Sequence, residues 1–315
     1  MLRFTKGRML AFTLICILTL LVSACGSKQA ESPASSSSAS TAPAATAAPT
    51  PTPEAKKGPA RIVVTYFPYA DHLFALGKGD AVVGVVNYKS LKDFTVYDPF
   101  LKGGKVADLG DKVNLEEIMK LNPDLIIASN NDQKDIEQLS KIAKTVTVNA
   151  TLNWQETIRG VADAVGEQAA ADSYIAQFQT KQTEVSAVMD KSGMKGKSAL
   201  FVMPWKKGFT YWSGSRMALY YDKLGFKPFD GMQNVGDITL EGIAKLNPEY
   251  IFIGKDYTNS SEVTMDALQK DPIWNSLDAV KNKKAFVVDT EILGPLAMGQ
   301  MKGLTYMAEQ FGAKK

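Results

Sequence analysis

Cysteine and histidine are scarce in this chain of 315 residues. Its two cysteines, Cys16 and Cys25, both lie within the first 25 residues. The rest of the chain therefore has no thiol and no disulfide. His72 is the single histidine. A zinc site built from several histidines is excluded, and a Ser-His-Asp triad would have to use His72 itself.

Excess charge of either sign is also missing. The chain has 36 Lys+Arg and 33 Asp+Glu, and residues 1–24 hold Arg3, Lys6 and Arg8 without any acidic residue. Beyond that segment the two signs balance, which gives no support for a nucleic-acid partner. With 22% charged and 45% hydrophobic residues, the composition excludes a collagen, a wholly disordered chain and a multi-span membrane protein. The length predicts about two domains.

The N-terminal segment has the pattern of a targeting signal rather than of a folded domain. Residues 9–22 form an apolar run of about 14 residues, shorter than the roughly 20 that span a bilayer. The pattern predicts a secretory signal peptide over residues 1–24, with an uncleaved anchor as the alternative. Residues 25–59 are rich in Ser, Ala, Thr and Pro, and this composition predicts a disordered tether.

Residues 21–25, Leu-Val-Ser-Ala-Cys, resemble the lipobox of bacterial lipoproteins. The resemblance implies cleavage before Cys25 and lipid attachment to its sulfur. Two or more acyl chains give a stable anchor. We therefore expect the mature protein to be held at the outer face of the bacterial cytoplasmic membrane.

An internal repeat indicates two similar halves. Residues 113–128 (VNLEEIMKLNPDLIIA) and residues 238–253 (ITLEGIAKLNPEYIFI) are offset by 125 positions and share eight of sixteen residues. Each copy predicts a short helix, a turn at Asn-Pro and a buried strand, with Asn114 and Thr239 as N-caps. A single repeat at this spacing is typical of two related α/β lobes.

The predicted fold class is α/β, with two Rossmann-like lobes, one long connecting helix and a ligand cleft between the lobes. The lobes are expected at residues 60–165 and 193–315. Residues 167–190 contain no Gly or Pro, and their apolar spacing predicts a helix within 166–192 that joins the lobes or belongs to one of them. The predicted strands are 61–66, 82–86, 125–128 and 145–148 in the first lobe, and 199–203, 209–212, 250–253 and 285–289 in the second.

Together with the repeat and the long helix, residues 271–289 make the chain similar to the substrate-binding lipoproteins of iron–siderophore and cobalamin ABC importers, over residues 61–311. Residues 209–228 are most similar to the members that bind ferric hydroxamates. Two segments differ from those members: Ser-Gly-Ser-Arg at 213–216 replaces an aromatic before Arg-Gly-Gly, and residues 290–294, Thr-Glu-Ile-Leu-Gly, lack an aromatic.

The resemblance implies a monomeric receptor that captures a ferric siderophore and delivers it to an ABC permease with its cytoplasmic ATPase. It implies no catalysis and no resident cofactor or metal, since the iron arrives already enclosed by hard oxygen ligands. A haem- or cobalamin-binding member, or a lipoprotein scaffold without a small ligand, remains an alternative. The resemblance also implies that Glu116 and Glu241 dock to the permease; the alternative is that they only favour the dipoles of their helices.

Ligands of open α/β sheets bind at the carboxyl ends of the strands, which are rich in aromatic residues here. Arg216 is predicted to donate to the iron-bound oxygens, because its guanidinium can fork onto two of them. The sequence leaves open whether His72 contacts the ligand, binds haem iron as in haem-binding relatives, or is structural. The aromatic walls of the site are predicted to be Tyr66, Tyr88, Trp205, Tyr211 and Trp212.

Overall fold

The structure is a computed structural model, and it describes residues 58–312. The predicted signal peptide, Cys25 and most of the predicted tether lie outside these residues. Ten strands of the described part form two five-stranded sheets. The first sheet holds β1 Ile62–Val64, β2 Val82–Val85, β3 Ala107–Asp108, β4 Leu125–Ser129 and β5 Lys144–Val148. The second holds β6 Ala199–Trp205, β7 Gly208–Trp212, β8 Val235–Ile238, β9 Tyr250–Gly254 and β10 Ala285–Val288.

The two sheets differ in strand direction. The first has the order β3-β2-β1-β4-β5 and all its pairs are parallel. The second has the order β10-β9-β6-β7-β8, in which β7 and β8 pair antiparallel. The carboxyl ends of β6 and β7 therefore point to opposite edges. The rule that ligands bind at the carboxyl ends of parallel strands therefore does not apply to β7, because a hairpin reverses the chain.

Thirteen α-helices accompany these strands in the described part, and none of them is both long and apolar enough to cross a membrane. The chain order begins with α1 Phe67–Ala75, α2 Lys89–Lys92, α3 Asp98–Leu101, α4 Leu115–Lys120, α5 Ile136–Ile142 and α6 Trp154–Val165. It continues with α7 Gln168–Lys191, α8 Gly214–Ala218, α9 Leu240–Leu246, α10 Met265–Lys270, α11 Pro272–Ser276, α12 Asp278–Lys281 and α13 Ala297–Phe311. A 3-10 turn, Thr290–Leu293, links β10 to α13.

The repeat folds as expected in both halves. The side chain of Asn114 accepts from backbone N–H groups in the first turn of α4, and Thr239 does the same for α9. Asn122 and Asn247 both end their helices with φ 42°, a left-handed conformation that asparagine tolerates. β4 then lies between β1 and β5, as β9 lies between β6 and β10. Each repeat copy therefore occupies an equivalent place in its sheet.

Two helices tie the halves together. α7, with 24 residues, lies between the strands of the first sheet and those of the second and falls within the range 166–192. α13 packs against α7 and also against α1 of the first half. Buried side chains of both halves, such as Leu73 and Phe201, belong to one hydrophobic cluster that includes Phe178 of α7. Because protein cores are close-packed, this shared core restricts the halves to small relative movements.

Candidate functional site

A cavity of about 1020 Å³ lies between the two halves. The first half contributes residues of α1, of the loop after β5 and of α6. The second half contributes α8, the loop after β9 and the segment after β10. Its charged lining residues are Glu156, Arg216, Lys223 and Glu291. Its aromatic lining residues are Tyr66, Phe67, Phe94, Trp154, Phe178 and Tyr257.

Arg216 is held in place by contacts that leave much of its guanidinium free. Its Nε donates to the carbonyl of Leu293 at 2.9 Å. The guanidinium carbon stands 4.3 Å from the ring centroid of Trp212, a cation–π distance. Burial lowers the pKa of Arg216, and nearby Tyr257 opposes that effect. Within residues 58–312 the two terminal nitrogens have no hydrogen-bond partner, so the fork is available to a ligand.

The structure brings two of the six predicted ligand-binding residues into the cavity lining, Tyr66 and Arg216. Trp212 lies beneath the guanidinium of Arg216 rather than in the lining. The ligand-binding roles of the six residues stay predictions. The other three, which do not line the cavity, are Tyr88, Trp205 and Tyr211.

Strand geometry explains where these three residues lie. Tyr211 precedes Trp212 on β7, so it points to the opposite face and is buried in the second core against Phe229. Trp205 ends β6 on a hairpin that runs past the last residue pair between β6 and β9. Tyr88 precedes α2 and packs partly buried against the main core.

One buried aromatic residue of the lining, Trp154, was not predicted. Trp154 is 6% exposed, and its Nε1 donates to Oε1 of Gln300 at 3.1 Å. It follows the predicted strand 145–148 by a short loop. Applying the strand-end rule to that strand, as to the others, would have pointed to this loop. Phe94 has no comparable signal, because it lies between short helices after β2.

Asp71 and His72 are adjacent and buried, but their side chains differ in their hydrogen-bond partners. Oδ1 of Asp71 accepts from the hydroxyl of Tyr97 at 2.8 Å. The carboxylate also accepts from the backbone N–H groups of Ala297 and Met298, the first turn of α13, at 3.0 and 3.1 Å. Burial raises the pKa of Asp71 to about 6 against these bonds. His72 lines the cavity and is 1% exposed. Its Nδ1 has no hydrogen-bond partner, and burial lowers its pKa to about 3.

The halves also meet in a polar cluster at the cavity wall. Oε1 of Glu291 accepts from Thr95 Oγ1 at 3.1 Å and from Lys302 Nζ at 2.7 Å. Lys302 also donates to Asp289 at 2.6 Å. Burial raises the pKa of Asp289, but hydrogen bonds from Lys255 and Lys302 outweigh it and bring it to about 2. This cluster joins the 3-10 turn after β2–α2 of the first half to the segment after β10.

Aromatic rings also contact each other between the two halves. Phe94 of the first half and Tyr257 of the second meet edge to face, with ring centroids 4.9 Å apart, and both line the cavity. Such pairs add roughly 0.5–1.5 kcal/mol beyond their buried area. The cavity wall is therefore also the contact between the halves.

Glu116 and Glu241 lie away from the cavity, in the first turns of α4 and α9. Both are exposed, and neither carboxylate has an ion-pair partner among residues 58–312. The neighbouring Glu117, in contrast, pairs with Lys120 at 2.6 Å. Their predicted permease contacts stay predictions. The same part of the chain contains no cluster of three or more His, Cys, Asp or Glu side chains able to hold a metal ion.

Two α/β halves around a cavity form an architecture suited to holding a ligand between domains. Residues 62–292 match the model of the family described as "Periplasmic binding protein". The match covers well over half of the chain, and the chain belongs to this family.

Similar proteins come from Bacillus subtilis (strain 168). The chain is 28% identical over 313 residues to "Iron(3+)-hydroxamate-binding protein YxeB", covering 92% of each chain. It is 28% identical over 310 residues to "Probable siderophore-binding lipoprotein YfiY", again covering 92% of each. The crystal structure of the triscatecholate siderophore binding protein FeuA from Bacillus subtilis, complexed with ferri-bacillibactin, superposes with a TM-score of 0.63 at 25% identity. That match covers 80% of this chain and 92% of FeuA.

Proposed function

We propose that this protein is an extracytoplasmic receptor that captures a ferric siderophore of the hydroxamate type and delivers it to an ABC importer. The ligand would bind in the cavity between the halves and leave chemically unchanged. Its iron would stay enclosed by the siderophore, so the protein recognises the organic shell and the oxygens that face outward.

The arrangement of Arg216 carries this proposal. Its Nε is fixed to Leu293 and its plane is stacked on Trp212, while its two terminal nitrogens remain available. A fixed guanidinium loses little conformational freedom when it forks onto two oxygens. The cavity volume of about 1020 Å³ is at the upper end for a small-molecule site, roughly 300–1,000 Å³. The names of YxeB and YfiY, a hydroxamate and a siderophore binder, support the same ligand class.

Delivery and anchoring complete the proposal. Exposed Glu116 and Glu241 occupy equivalent places in the two halves, and we propose that they contact basic residues of a permease that works with a cytoplasmic ATPase. Cys25 would carry the lipid that holds the protein at the outer face of the membrane, as its lipobox resemblance implies. The name of YfiY as a lipoprotein supports this location.

A ligand panel tests the proposal through tryptophan fluorescence. The full chain would be titrated with a ferric trihydroxamate, a ferric triscatecholate, haem and cobalamin. We expect the hydroxamate to quench most strongly at the lowest concentration, because Trp154 lines the cavity and ferric complexes quench nearby rings. Trp154→Phe should remove much of the quenching without changing the affinity that calorimetry reports.

Arg216→Ala supplies the matched variant. Loss of a hydrogen bond to a charged group costs about 1.5–3 kcal/mol, so affinity should fall by roughly 10- to 100-fold. Lys207→Ala, which removes an exposed cation outside the cavity lining, should leave affinity unchanged. Saturable binding of haem or cobalamin alone would replace the proposed ligand, and no binding by any ligand would favour a scaffold.

A further inference from the structure

Glu291 is the buried acidic residue of the cavity wall, and the proposed function gives it no role. We propose that Glu291 is a specificity-determining residue, which selects chelates that carry an ammonium group on their organic shell. This inference rests on the proposed function and narrows the class of ligand that it names.

The position of Glu291 is fixed from several sides. The residue is 4% exposed. Its Oε1 accepts from Thr95 Oγ1, from Lys302 Nζ and from the backbone N–H of Val96, the last at 3.2 Å. α13 also lies so close that a side chain at Gly299 would collide with the backbone oxygen of Glu291. Since the carboxylate is held before a ligand arrives, a contact with it costs little ordering.

The second oxygen of Glu291 is the one a ligand can use. Every hydrogen bond to this carboxylate within residues 58–312 ends on Oε1, and Oε2 has no protein donor there. The residue lines the cavity. Lys255 and Lys302 balance the charges of Asp289 and Glu291. What Glu291 adds to the cavity is therefore a fixed hydrogen-bond acceptor rather than a large negative field.

One turn positions both Glu291 and Arg216. The turn Thr290–Leu293 carries Glu291, and its Leu293 carbonyl anchors Arg216. The two side chains do not pair with each other, since the described ion pairs of Glu291 involve only Lys302. The wall thus offers a donor fork and an acceptor side by side. It matches a chelate that presents iron-bound oxygens and an ammonium group on one side.

A pair of matched ligands tests this inference. One is a linear ferric trihydroxamate that ends in a free amine, and the other is the same chelate with that amine acetylated. Their dissociation constants would be measured with the full chain by fluorescence quenching and calorimetry. A charge-assisted hydrogen bond is worth about 1.5–3 kcal/mol, so we expect the native chain to favour the amine by about tenfold or more.

Glu291→Gln replaces the acceptor at Oε2 with a donor and keeps the shape of the side chain. We expect it to reduce the preference to about twofold or less, while the acetylated chelate keeps its native affinity. Glu262→Gln removes an exposed acid of the second half outside the cavity lining and should keep the preference. Thr95→Val breaks an interhalf bond of Glu291 without touching Oε2, and should keep it too.

The outcomes separate this inference from the proposed function. Equal binding of both chelates by the native chain, or a preference that survives Glu291→Gln, overturns the role of Glu291 and leaves the ferric hydroxamate receptor standing. Loss of the preference in Thr95→Val as well would also overturn it, because Glu291 would then act only by joining the halves. If neither chelate binds, the proposed function itself fails.

Discussion

The two halves of the described chain are alike on one side of their central strand and different on the other. β1, β4 and β5 repeat as β6, β9 and β10, with α4 and α9 in equivalent places. On the other side, β2 and β3 are parallel strands reached through helices, whereas β7 and β8 form antiparallel neighbours. β1 leads into α1, but β6 turns directly into β7.

The two proposed tasks of the molecule, docking and ligand recognition, use the two halves differently. The shared elements present one exposed glutamate per half, at Glu116 and Glu241, as a symmetric partner would need. The cavity is lined both by segments that follow the shared strands β5, β9 and β10 and by the differing elements α1 and α8. The two halves contribute unequally to this lining. Its described basic residues, Arg216 and Lys223, come from the second half, and α1 of the first half supplies buried His72. The proposed docking residues are therefore equivalent in the two halves, whereas the charged residues of the cavity are not.

The largest expected effect tests the proposed docking role of the two equivalent glutamates, Glu116 and Glu241. Glu116→Ala combined with Glu241→Ala should lower siderophore uptake by cells by at least about tenfold, because one docking charge is lost on each half. Affinity for the ferric chelate should not change. Uptake of radioactive iron and fluorescence titration would measure the two quantities. Glu117→Ala, whose carboxylate already pairs with Lys120, is the matched control. Normal uptake by the double variant would remove the docking claim.

The next effect tests α1, which has no counterpart after β6. Asp71→Ala should lower the free energy of unfolding by about 3 kcal/mol, because it leaves the Tyr97 hydroxyl and two N–H groups of α13 without their acceptor. Urea unfolding would measure it. Asp80→Ala removes an exposed acid from the same half and should change stability by less than about 0.5 kcal/mol. If both variants lose a similar free energy of unfolding, Asp71 has no special role in joining α13 to the first half.

The dependence of stability on pH sharpens the same point. The raised pKa of Asp71, about 6, makes the native state bind more protons than the unfolded state between about pH 4 and 6, so this residue lowers stability as pH rises. The lowered pKa of His72, about 3, has the opposite effect over about pH 3 to 6.5. The two contributions oppose each other in the native chain.

Single substitutions should separate the contributions of Asp71 and His72 to the pH dependence of stability. Relative to the native chain, Asp71→Asn should gain about 2–3 kcal/mol of stability from pH 4 to pH 6, and His72→Leu should lose a similar amount, at roughly 1.4 kcal/mol for each pH unit. Urea unfolding at several pH values measures both. Curves that run parallel to that of the native chain would show that neither group titrates as proposed.

Local signals were enough to predict much of the fold. The repeat predicted α4–β4 and α9–β9 because caps, Asn-Pro turns and apolar strands depend on neighbouring residues alone. A helix was predicted within 166–192, the range that contains α7, since a long stretch without Gly or Pro has few alternatives. The reversal at β7 was not predicted, because Lys206 and Lys207 give no strong hairpin signal. The hairpin carries Trp205 past β9, and alternation along β7 turns Tyr211 away from Trp212, so the predicted list of walls was less complete than the predicted fold.

The smallest expected effect compares two tryptophans of the second half that were both predicted as walls. Trp212→Leu should weaken binding of the ferric hydroxamate by about fivefold, since a partly desolvated cation–π contact of about 1 kcal/mol no longer orients Arg216. Trp205→Leu should leave affinity unchanged, because Trp205 lies on the hairpin beyond β9 and contacts Lys206. Calorimetry suits both variants, since it does not depend on tryptophan emission. Equal losses of affinity in both variants would mean that Trp205 also contacts the ligand. The opposite directions of β6 and β7 would then no longer explain which aromatic rings form the site.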